Sequence, residues 1–157
     1  MALIVEDGTG LPNAEAYISV ADADSYFAKR GNSAWAALTV DAKEVALRLG
    51  ADYMAAVYGP RWCGERLTDT QALDWPRDEQ GVPEAVKRAN AELAVRASAG
   101  VLLADQGAQV KSETVGPISV TYADGARQET RYAAVDASLR AAGLLCGSAN
   151  MIPVVRA

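Results

Sequence analysis

The sequence predicts a mainly α fold: a small bundle of about four helices, one β-hairpin, and extended N- and C-terminal arms. Three observations carry this. Four segments repeat apolar residues at spacings of three and four, the period of a helix with one buried face. A single stretch, "VKSETVGPISVTYADG", alternates and is rich in β-branched residues, as a hairpin should be. Both ends are apolar and almost free of charge, with turn-forming residues between them and the body of the chain. At 157 residues the chain is expected to form one domain, 1–157, with 147–157 as a C-terminal arm.

"MALIV" at the start reads as a short strand or arm, and "EDGTGLPNAEAY" as loop, from Asp7-Gly8, Gly10 and Pro12-Asn13. Ser19 followed by Asp22 marks a helix start, with the carboxylate favoured near the positive helix end. Val20, Ala23 and Phe27 share a face, and Gly31-Asn32 ends that helix. Thr39 caps a second helix to about residue 57, with Ala42, Val45, Leu49, Tyr53 and Ala56 as its core stripe. Glu44, Arg48 and Asp52 sit four apart as an outer charge ladder. Thr68 and Gln71 have capping-box spacing, which predicts a short helical turn over 69–73.

Pro83 suits the first position of the longest helix, 83–104, about 33 Å at 1.5 Å per residue. Its expected core stripe is Val86, Leu93, Ala97, Val101 and Ala104, and its solvated face Glu84, Arg88, Glu92 and Arg96. The hairpin turns at Gly116-Pro117 between Val115 and Ile118. A lone two-stranded ribbon is marginal, so these four residues are expected to touch another subunit or the helices. The last helix, 132–146, turns Tyr132, Val135, Leu139 and Ala142 inward. The tail after it carries Met151, Ile152, Val154 and Val155 and either folds back or inserts into a partner.

Composition excludes several functions. Without histidine there is no Ser-His or Cys-His nucleophile pair and no histidine-ligated zinc. No phosphate loop, nucleophile elbow or dinucleotide fingerprint is present, so neither an enzyme nor a cofactor is expected. A formal charge of −5 counts against a broad phosphate-gripping surface. No apolar run approaches the roughly 20 residues that cross a bilayer, and "MALIVEDGTG" does not read as a secretion signal. A cytosolic origin follows, and with it the expectation that Cys63 and Cys146 stay reduced.

The stretch "YGPRWCGERLTDTQALDWPR", 58–77, stands out because it holds two of three tryptophans, Trp62 and Trp75, with Arg61, Arg66 and Arg77. Aromatic and cationic residues together can stack and neutralise single-stranded nucleic acid. They can also pin an irregular loop on the helices. Glu65, Asp69 and Asp74 cancel the three arginines, which favours the second use.

The order of segments resembles a family of small proteins from tailed-phage structural gene clusters, over nearly the whole chain. The most specific piece is RW-x-G-x-R followed by QALDWPR: Arg61, Trp62, Gly64 and Arg66, then Gln71, Ala72, Leu73, Trp75, Pro76 and Arg77. The architecture is similar to head–tail connector (adaptor) proteins, while some members carry a DnaT-like single-stranded DNA-binding label. The connector likeness implies a dodecameric ring in the virion neck, assembled in the host bacterial cytoplasm, with portal protein above and tail or head-closure (stopper) protein below. Genomic double-stranded DNA would pass through the lumen without sequence-specific binding, and no membrane would be involved. It also implies that Asn150, Met151, Ile152, Pro153, Val154, Val155 and Arg156 form a portal-binding arm. The DnaT-like label implies instead a single-strand-binding replication protein.

Overall fold

In a computed structural model, residues 2–78, 81–105, 112–115, 118–121 and 130–146 are described. Among them the chain forms α1 (Val20–Ala28), α2 (Ser33–Ala36), α3 (Val40–Tyr58), α4 (Glu84–Ala99), β1 (Ser112–Val115), β2 (Ile118–Thr121) and α5 (Ala133–Ala141). A 3-10 turn, Gly59–Arg61, follows α3 directly. The fold is mainly helical, as the periodicity predicts.

Caps set the helix starts. The hydroxyls of Ser19 and Thr39 accept from the backbone N–H of Asp22 and Ala42, and the Asn32 side chain accepts from Trp35 N–H. Each satisfies a first-turn donor that the helix itself leaves unpaired. The helix that Asn32 caps, α2, is too short for a periodicity argument and was not foreseen. It buries Trp35, whose Nε1 donates to Asp24 at 2.6 Å while Lys43 pairs with the same carboxylate at 2.9 Å.

The centre is α3 against α4. Gly50 permits the approach: a Cβ there would lie 2.8 Å from Asn90 Nδ2 and 3.0 Å from Asn90 O. Asn90 is fully buried, and its amide donates to Leu47 O and accepts from Tyr17 N–H, both at 2.9 Å. One side chain thus ties α3, α4 and the segment before α1. Apolar residues fill the space on both sides. Phe27, Trp35, Leu47 and Ala94 form one cluster, and Met54, Tyr58, Trp62, Trp75, Leu93, Val135 and Leu139 the other.

This packing corrects the predicted stripe of α3. Val45 and Leu49 are 53% and 45% exposed, and the buried face is Ala46, Leu47, Gly50, Ala51, Met54 and Tyr58. Tyr53 is buried as predicted. Both faces repeat at helical spacing; the one with small residues wins because it meets Ala89, Ala91 and Ala94 of α4 at close range. The charge ladder is also only partly solvated, since Arg48 reaches Glu15 at 2.9 Å.

Two helices end earlier than predicted. α4 stops at Ala99, where Gly100 turns extended, so Val101 and Ala104 leave the stripe and Val101 is 79% exposed. Glycine has little helix propensity, and apart from its chain neighbours no described residue lies within 4 Å of where a Cβ on Gly100 would stand. On the outer face Arg88 pairs with Glu84 and Arg96 with Glu92. α5 ends at Ala141; Gly143, at φ 70°, reverses the chain and leaves Ala142 exposed. Leu145 is then free to bridge Trp62.

At the start, Val5 bridges Ala16, and Glu6 N–H donates to Ala16 O at 2.9 Å. The buried Glu6 carboxylate accepts from the N–H groups of Gly8, Gly10 and Leu11, closing the loop that the turn residues predict. β1 and β2 pair antiparallel with Val115 opposite Ile118. Gly116, Pro117 and the tail residues Asn150 to Arg156 lie outside the described residues. No helix among the described residues is long and apolar enough to cross a membrane.

Candidate functional site

The Trp-Arg segment leaves α3 through the 3-10 turn and closes on itself. Arg66 and Arg77 form an antiparallel bridge, Leu67 N–H donates to Pro76 O at 3.1 Å, and Asp78 N–H to Glu65 O at 3.0 Å. The loop is therefore a small self-paired hairpin spanning 62–78. Gly64 is required at its mouth: φ is 75°, and a Cβ would run into the Asp78 carboxylate. That carboxylate accepts from Glu65 N–H at 2.8 Å.

Gln71 is buried at the centre of the loop. Its Oε1 accepts from Thr68 N–H at 2.9 Å, while Thr68 Oγ1 accepts from Gln71 N–H at 3.1 Å. Both capping-box bonds form, yet no helix follows, which corrects the predicted turn of helix over 69–73. The Gln71 amide instead donates to Leu73 O and Pro76 O, holding the chain in a tight reversal that a helix would open. The Trp75–Pro76 peptide bond is cis.

The guanidinium groups are consumed locally. Arg66 donates to the carbonyls of Gln71 and Leu73, and Arg77 to those of Cys63, Gly64 and Asp74. Arg61 pairs with Asp136 of α5 at 3.4 Å. Burial works to raise the Asp136 carboxyl, but the hydrogen bonds and charges of Arg140 and Arg61 outweigh it and hold it below the usual carboxylate value. Trp62 and Trp75 are 6% and 3% exposed, edge to face at 5.8 Å. Trp62 Nε1 donates to Asp74 at 3.1 Å, and Asp74 N–H donates to the buried Tyr17 hydroxyl. Neither indole offers a free face for a base.

Trp62 continues into a row of rings: Tyr58 at 5.7 Å from it, Tyr53 at 6.2 Å from Tyr58, and Tyr132 at 5.2 Å from Tyr53. Burial pushes the Tyr58 hydroxyl up to about 12. At its outer end the row opens into a cleft of about 210 Å³. There the half-buried Tyr132 and the exposed Arg131 face Arg61 and Asp136.

Cys63 and Cys146 are joined as a disulfide, with Cα atoms 4.9 Å apart. This corrects the expectation of reduced thiols. Their separation of 83 residues concealed that the segment leaving α5 pairs with the loop: Cys63 N–H donates to Leu144 O and Cys146 N–H to Arg61 O. Asn90, Glu6 and Asp136 also escaped the sequence reading. A polar residue within an apolar helical stripe, as Asn90 is, was the one available signal.

Among the described residues no three side chains of His, Cys, Asp or Glu gather to hold a metal ion. The molecule is a mainly helical domain whose motif residues build a closed loop. A family model described as "Putative DnaT-like ssDNA binding protein" matches residues 1–157, and the chain belongs to that family. No curated protein and no solved structure matches the chain. The match carries the DnaT-like description of the two that the sequence resemblance offered, and not the connector one.

Proposed function

We propose that the protein binds single-stranded DNA, with the cleft at Tyr132 and Arg131 as the place of contact. The observation behind the reading is the family match over the whole chain. Exposure and pairing support the cleft over the loop. Trp62 and Trp75 are enclosed and Arg66 and Arg77 are occupied, so the loop that looks most like a stacking platform is the wrong place. Tyr132 is half-buried at the cleft beside the exposed Arg131, while Arg61 behind it is paired with Asp136. A base stacked on one aromatic ring is worth about 1–3 kcal/mol, and neighbouring cations add the backbone term.

Fluorescence anisotropy of a labelled oligothymidylate tests this. Submicromolar binding in dilute buffer should weaken steeply as salt rises, and Arg131→Glu should weaken it about tenfold or more. No binding in dilute buffer removes the reading. Binding that Arg131→Glu leaves unchanged removes the cleft.

A second reading is a structural connector ring of a phage neck, which performs no reaction. The net charge of −5 and the closed loop favour it, because a channel wall should not grip phosphates. Portal protein, a head-closure or tail protein, and further copies of this chain would be its partners. Negative-stain images of the protein mixed with portal should then show rings stacked beneath portal rings. Separate particles at micromolar concentration would sink this reading.

A further inference from the structure

The face of α3 that misses the core does not end in open surface. Leu49 stands opposite Val101 and Leu103, which are 79% and 51% exposed, across a groove of about 570 Å³. Tyr53, Ala56 and Ala97 also line it, and Asp52 is its one charged lining residue. Contiguous exposed apolar surface of this kind is usually covered by something.

We propose that the groove is the seat of the chain's own C-terminal segment, with Met151, Ile152, Val154 and Val155 packed against Leu49, Val101 and Leu103. Chemistry matches first. Residues 147–155 carry no charge, and the following Arg156 complements Asp52. Position agrees. Cys146, the last described residue, is held by its disulfide to Cys63 and by its N–H to Arg61 O. Arg61 lines the Tyr132 cleft, which shares Tyr53 and Leu103 with the groove. The segment therefore sets out one cleft away from its seat.

Chain length sets the reach. At about 3.3 Å per residue, a fully extended tail would carry Met151 up to roughly 17 Å and Val155 up to roughly 30 Å from Cys146. The residue before a proline favours an extended backbone, and an extended course would lay these apolar residues as two pairs along the trough. A short tether raises the local concentration of the segment to the millimolar range, which favours the chain's own tail over that of another copy.

The test uses the full chain with Ile152→p-benzoylphenylalanine, irradiated as a mixture of isotopically heavy and light copies. Cross-links are expected to peptides containing Leu49, Val101 or Leu103 of the same chain. Leu49→Glu, at an exposed position that leaves the core untouched, should cut their yield about tenfold by placing a charge in the seat. Cross-links elsewhere, cross-links between heavy and light copies, or a yield indifferent to Leu49→Glu would each overturn the proposal. Should the bulky probe itself be displaced, methyl resonances of Leu49, Val101 and Leu103 supply a second readout. They should shift in full-length Ile152→Asp/Val154→Asp; unchanged resonances would also overturn it.

Discussion

The Trp-Arg loop and the groove between α3 and the segment after α4 treat their side chains in opposite ways. In the loop, almost every polar group has a partner inside the loop: Gln71 with Thr68, Leu73 and Pro76, Arg77 with three carbonyls, and Asp78 with Glu65. Both indoles are turned inward. In the groove, large aliphatic side chains stand exposed, with no described residue covering them. The part of the sequence that looks most like a binding site is thus a piece of scaffold. The part that looks like ordinary core periodicity is the surface left open. A residue's type shows what it can do, and its neighbours show whether that capacity has been used.

The sharpest way to break this contrast is at Trp75. It joins the row of rings to the loop, so Trp75→Ala should cost about 3–5 kcal/mol, read from urea unfolding. A stable variant that has lost only DNA binding would make the indole a contact residue and reverse the assignment of the loop. Reduction of the Cys63–Cys146 disulfide comes next. It frees a constraint spanning 83 residues, for which the chain-entropy argument gives up to about 4.5 kcal/mol, and about 2–4 kcal/mol is expected in practice. Unfolding midpoints with and without dithiothreitol check it; equal midpoints would show that the loop holds without its tie to the segment after α5. Asn90→Leu should cost about 2–4 kcal/mol, since it strands the buried Tyr17 N–H, removes the second donor to Leu47 O and crowds Gly50.

Alkaline titration separates the two regions by a different route. Burial disfavours the phenolate and pushes the Tyr58 hydroxyl up to about 12, against about 10 in the unfolded chain, and it raises the buried Tyr17 hydroxyl in the same direction. Between these values the unfolded state has already lost its proton while the folded state keeps it, so stability falls as pH rises. Below pH 10 the effect is absent. Thermal melts between pH 9 and 12 should show a decline that begins near 10, with the Trp62 environment changing as the row of rings loosens. A flat profile would mean that water already reaches both the Tyr58 and the Tyr17 hydroxyls.

How much of this was readable beforehand differs by region for a physical reason. Helix starts were legible at Ser19 and Thr39 because a cap is a local event, completed within three residues. The face of α3 was not, because both faces carry an apolar repeat. The choice between them depends on how closely Ala89, Ala91 and Ala94 of another helix approach. Thr68 and Gln71 show a middle case: their reciprocal bonds are local and form as the spacing predicts. What the backbone does next is decided by the Pro76 and Leu73 carbonyls further along. The disulfide was furthest from view, since it needs the antiparallel meeting of Trp62 with Leu145.

The smallest expected effect tests the other side of the comparison. Leu49→Ser removes an aliphatic side chain from a helix, the kind of change that inside the α3–α4 core would cost several kcal/mol. At 45% exposure Leu49 contributes little to the described core, so its loss should move stability by no more than about 0.5–1 kcal/mol in urea unfolding. The same substitution at Leu47, two residues earlier and fully buried, supplies the contrast within one helix and should cost at least about 3 kcal/mol. If the two variants unfold together, Leu49 is covered as deeply as Leu47, and whatever covers it is held as firmly as the core.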